Sequence, residues 1–142
     1  MNYLDKFQSR FIGVMQWDDC HALFDTLTAK PENDWYLYDT TAALPSETID
    51  AKHLATQLQS IKSIIQDEHQ ERYCGIVYVD DLNNPNFVKI FHPNNLGKSC
   101  GSSEHPPIPQ WLLSKTKPVD VVEKFAPPPE NQPGFVAKFL KL

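Results

Sequence analysis

The chain has 142 residues, 41 % of them hydrophobic and 22 % charged, with a formal net charge of −5. That length suits one domain spanning 1–142 and buries roughly two-thirds of the unfolded surface, so a core needs no staples. An acidic chain without a run of Lys or Arg is poorly matched to a phosphate backbone or an anionic bilayer, so no nucleic-acid and no membrane partner is expected.

Residues 1–14 read as an arm or an edge strand, with "RFIGVM" as the strand candidate. The opening "MNYLDKFQSRFIGVMQW" lacks the long apolar core and small-residue cleavage site of a secretion signal. No apolar run approaches the length of a membrane span. The cysteines Cys20, Cys74 and Cys100 are odd in number, widely spaced and without a CxxC pair, which does not read as a disulfide framework. A soluble protein in the reducing cytoplasm is the expectation.

Trp17, Cys20, Phe24 and Leu27 recur at spacings of three and four, which predicts an amphipathic helix. Asp18 and Asp19 suit its first turn, where the helix dipole favours negative charge, and Pro31 ends it. "WYLYDT" at 35–40 is short and aromatic and reads as a strand. Leu54, Leu58, Ile61 and Ile65 form the longest helical stripe, with Ser46 as the expected N-cap after Pro45. Residues 73–79 and 86–92 read as two strands, and "DDLNNPN" between them is a hairpin loop that pairs them antiparallel.

After Phe91 the regular pattern stops. "PIPQWLLSKT" suggests one turn or a short helix near Trp111, and 119–125 a strand or helix. Residues 126–134, "APPPENQPG", read as a Pro-rich connector to a C-terminal tail that docks on its own domain. The expected fold class is therefore α+β. It comprises a small antiparallel or mixed sheet, two amphipathic helices on one face and a long irregular Pro-rich C-terminal region.

The stretch "FHPNNLGKSCGSS" contains Gly97-Lys98-Ser99, the second half of a phosphate-binding loop. Five positions before Gly97 that motif requires Gly, and this chain has His92. Pro106, Pro107 and Pro109 oppose the helix that must follow. The motif therefore fails, and no nucleotide cofactor is expected. Cys100 and His105 are five apart, with His92, Glu104, Cys74 and His69 as scattered additional donors. That spacing does not supply a zinc-type ligand set, so a metal-stabilised module is a lesser alternative. Cys100 has Lys98 nearby, a setting that lowers a thiol pKa, and His92 or His105 would be the base of a cysteine-dependent enzyme or redox protein. No cysteine-enzyme signature accompanies them.

What the stretch does support is a shaped loop. Asn and Ser side chains bond to nearby backbone, and long ordered loops in compact domains are commonly functional. The leading expectation is a non-catalytic binding or regulatory module. Its 92–105 loop holds a partner protein or a small anionic ligand through Asn94, Asn95, Lys98, Ser99, Cys100 and Ser102. The aromatics Trp35, Tyr36, Tyr38, Tyr73, Tyr78 and Trp111 are read chiefly as packing.

Overall fold

The computed structural model describes residues 2–29, 34–68, 72, 74–93 and 108–122. The connector at 126–134, the tail that follows it and most of the 92–105 loop lie outside these residues. In chain order the elements are α1 (Tyr3–Phe7), β1 (Ile12–Val14), α2 (Trp17–Ala29), β2 (Tyr36–Asp39), α3 (Ala51–Glu68), β3 (Val77–Val79), β4 (Phe87–Ile90) and β5 (Trp111–Ser114). The strands form one open antiparallel sheet in the order β1-β3-β4-β5-β2. The protein is α+β.

Local chemistry explains the element boundaries. Asn2 caps α1 through a reciprocal box: its Oδ1 accepts from the Asp5 N–H at 2.8 Å, and the Asp5 carboxylate accepts from the Asn2 N–H. The helix expected from Ser46 begins instead at Ala51. The Ile49 N–H donates to the Trp35 carbonyl at 2.9 Å, an isolated antiparallel bridge that keeps the preceding chain extended. Asp50 then does the capping, accepting the His53 N–H at 2.8 Å.

β3 is shorter than the 73–79 strand read from sequence. Before Val77 the ladder to β1 shifts: the Cys74 N–H donates to Met15 O at 2.7 Å and the Gly75 N–H to Val14 O at 3.0 Å. Gly75 has φ of 67°, which only a residue without Cβ adopts cheaply. The Asp80–Asp81 pair, as expected of a hairpin loop, organises the β3–β4 turn. Asp80 Oδ1 accepts from the N–H groups of Asp81, Asn86 and Phe87, and Asp81 Oδ1 from those of Asn83 and Asn84.

The segment near Trp111, read as a turn or short helix, is a strand in the interior of the sheet. β5 pairs with β4 (Ile90 opposite Trp111) and with β2 (Leu37 opposite Leu113), and all four of its residues are buried. A strand covered on both faces shows no alternation, so its pattern resembles any short apolar run. In the 119–125 segment only 121 and 122 are helical among the described residues.

Burial divides into two clusters. Cys20, Leu23, Phe24 and Leu27 of α2 and Leu54, Leu58, Ile61 and Ile65 of α3 share one with Val77, Val79, Val88, Ile90 and Leu113. The second gathers Tyr3, Phe7, Tyr38, Phe87, Leu112 and Val121. Successive residues of β4 and β5 go to opposite clusters, as a pleated strand requires. The sheet is therefore packed on both sides. Among the described residues no helix is long and apolar enough to cross a membrane.

Candidate functional site

β4 ends at Ile90 and β5 opens at Trp111, and these two residues face each other in the ladder. The chain from 91 to 110 therefore leaves and re-enters the sheet at adjacent strands. Asn94, Asn95, Lys98, Ser99, Cys100, Ser102, Glu104 and His105 lie outside the described residues. Of the candidates in this stretch, the structure describes His92 alone.

Both stems of the connection are held. On the outgoing side the Phe91 N–H donates to Ile76 O at 2.9 Å, and the Phe91 ring meets Tyr78 edge-on at 5.7 Å. The His92 ring stacks on Trp111 with centroids 5.9 Å apart, and its Nε2 lies 3.9 Å from Glu68 Oε1 at the end of α3. On the returning side Thr40, just past β2, donates its N–H to Gln110 O at 2.7 Å and its hydroxyl to Pro109 O at 2.8 Å. Ile108 packs against the second cluster. Thr40 is itself placed by a turn in which Asp39 Oδ1 accepts from the N–H and hydroxyl of Thr41.

Gly97, Lys98 and Ser99 lie outside the described residues, which show only the two ends of this connection. A phosphate-binding loop joins a parallel strand to a helix, whereas this loop joins two antiparallel strands, and the His92 side chain is already stacked on Trp111. Among the described residues no group of three or more His, Cys, Asp or Glu lies together in a way that could hold a metal. His69, Glu104 and His105 lie outside them.

The clefts among the described residues include two small ones. One, of about 150 Å³, lies between α2 and α3 and is lined by Phe24, Thr28, Leu58 and Lys62. Another, of about 110 Å³, lies beside Trp35, Asn84, Pro85 and Lys115. Both fall short of the roughly 300 Å³ at which pockets begin to enclose a small organic ligand.

Two features were not visible in the sequence. Lys89, within the strand expected at 86–92, sits beneath the N-terminal segment. Its Nζ lies 4.4 Å from the Phe7 ring centroid and 4.0 Å from that of Phe11, and burial brings its pKa down to about 8. Alternation along β4 places Lys89 on the Phe87 face, but nothing local says that α1 covers that face. The second feature is a meeting of Cys20 and Cys74, far apart in sequence and each 1 % exposed, in one cluster. No family model, curated protein or solved structure matches this chain.

Proposed function

We propose that the protein is a soluble, non-catalytic binding module of the reducing cytoplasm that holds a partner protein with its 92–105 loop. The observation that carries this reading is the anchoring of both ends of the β4–β5 connection, by the His92–Trp111 stack and by the two Thr40 hydrogen bonds. Fixed stems lower the ordering cost of binding through a loop. The loop's composition supplies the chemistry: Asn94, Asn95, Ser99 and Ser102 offer donors and acceptors, Lys98 a cation and Cys100 a small polarisable contact.

The test is affinity capture from an extract of the source cell, with wild-type bait beside a folded Lys98→Ala/Cys100→Ser bait. A partner recovered at least tenfold less by the double variant supports the reading. A partner recovered equally by both, or none recovered by wild type, overturns it.

The cysteine-dependent alternative keeps His92 as its base, with the Glu68 carboxylate 3.9 Å away, beyond hydrogen-bond reach. It requires Cys100 to alkylate faster near neutral pH than a model thiol. A rate no faster rejects it.

A further inference from the structure

Cys20 and Cys74 are brought together by the backbone before any side chain is considered. Met15 and Gln16 are consecutive residues in the turn between β1 and α2. The Met15 carbonyl accepts the Cys74 N–H at 2.7 Å, and the Gln16 carbonyl accepts the Cys20 N–H at 3.0 Å. Two successive carbonyls thus receive the two cysteines, one from the first turn of α2 and one from the chain leading into β3. Both side chains enter the same core cluster, each 1 % exposed, and both are reduced thiols. The two thiols are near enough to perturb one another. That contact lowers the Cys74 pKa and raises that of Cys20, which makes Cys74 the more readily ionised thiol of the pair.

We propose that Cys20 and Cys74 are a peroxide-reactive dithiol that closes to an intramolecular disulfide. Hydrogen peroxide is the oxidant class because it is close to water in size, and two nearly buried sulfurs exclude bulkier disulfide reagents. The exposed Met15 and Gln16 flank the first turn of α2, and local opening of that turn is the route in. The Cys74 sulfur attacks one peroxide oxygen, the O–O bond breaks, and the departing hydroxide takes up a proton to leave as water. Cys74 is now a sulfenic acid. The Cys20 sulfur attacks the Cys74 sulfur, the S–S bond forms, and the S–O bond breaks as hydroxide leaves with the Cys20 proton as a second water. The two thiols have lost two electrons and two protons, and one peroxide has become two waters. Holding the resolving thiol in contact makes the second step effectively unimolecular.

The experiment treats the reduced full-length protein with a modest excess of hydrogen peroxide. It then blocks remaining thiols with iodoacetamide in denaturant and maps the digest by mass spectrometry. The expected result is a Cys20–Cys74 linked peptide two hydrogen masses lighter than its parts, with both residues lost to alkylation in step. Cys20→Ala abolishes the link and leaves a Cys74 sulfenic acid that dimedone traps. Cys100→Ser leaves the link unchanged, which keeps the test decisive if Cys20→Ala does not fold. Cys20 and Cys74 both fully alkylated after peroxide has consumed Cys100 overturns the proposal. So does a link from either residue to Cys100, or accumulation of the Cys74 sulfenic acid in the wild type.

Discussion

Lys89 lies on β4 with its ammonium against the faces of Phe7 and Phe11. Burial lowers its pKa from 10.5 to about 8. The unfolded chain therefore binds more protons than the folded one between those values, and stability rises with pH across that window. Near pH 7 the amine is charged in both states and the folded state carries the desolvation cost, offset in part by the two ring contacts. Lys89→Met is expected to gain about 1 kcal/mol near pH 7, a figure discounted for the remaining solvent contact of the amine. Urea denaturation at two pH values checks it: the gap between variant and wild type narrows toward about pH 10, as the folded wild type sheds its proton. A variant no more stable than wild type at neutral pH would mean that the rings compensate the buried charge fully. Tyr3 poses a similar question on the same face. Its hydroxyl is buried beside Ser114; burial raises its pKa, and the Ser114 contact opposes that rise. Its ring sits 5.0 Å from that of Phe87. Tyr3→Phe keeps the ring and removes the hydroxyl with its Ser114 contact, for an expected loss of about 1 kcal/mol in thermal or urea unfolding. An unchanged or higher stability would show that desolvation of the hydroxyl cancels what the Ser114 contact supplies.

At the scale of elements, β5 is where local pattern and structure part. Trp111, Leu112, Leu113 and Ser114 are all buried because β4 and β2 flank the strand and core clusters cover both its faces. A residue-by-residue reading finds no period of two there, since period two records one wet face and this strand has none. Leu113, fully buried between Val88 and Leu37 in the ladder, tests the assignment. Leu113→Ala is expected to cost about 3 kcal/mol by urea denaturation, the usual range for a large-to-small change in a packed interior. A cost below about 1 kcal/mol would place this residue outside the close-packed core. The start of α3 makes the converse point. Ser46 has the chemistry of an N-cap, but the Trp35–Ile49 bridge holds the chain extended until Asp50, which has both the chemistry and the position. β1 and β3 are short because the ladder between them shifts at Gly75.

Across the whole molecule, the strand order β1-β3-β4-β5-β2 interleaves early and late parts of the chain. That order brings Thr40 to the returning stem of the 92–105 loop and Glu68 to the outgoing one. The loop was legible in the sequence as a change of composition after Phe91, because Asn, Gly, Ser and Pro mark irregular backbone by their own conformational preferences. Its stems were not legible, because they are made by residues distant in the chain. The thiol pair and the covered lysine follow the same division: one cysteine comes from the first turn of α2 and the other from the approach to β3, and Lys89 is covered by residues from the N-terminal segment. By itself the sequence determined the α+β class, the apolar stripes of α2 and α3 and the hairpin turn at Asp80–Asp81, all features written in spacings of a few residues. Only the tertiary structure decided that β5 is an interior strand, where α3 begins, that the second sheet face is buried and which side chains meet across it. Those outcomes depend on which surfaces are covered, and covering is a property of the assembled chain rather than of any window along it.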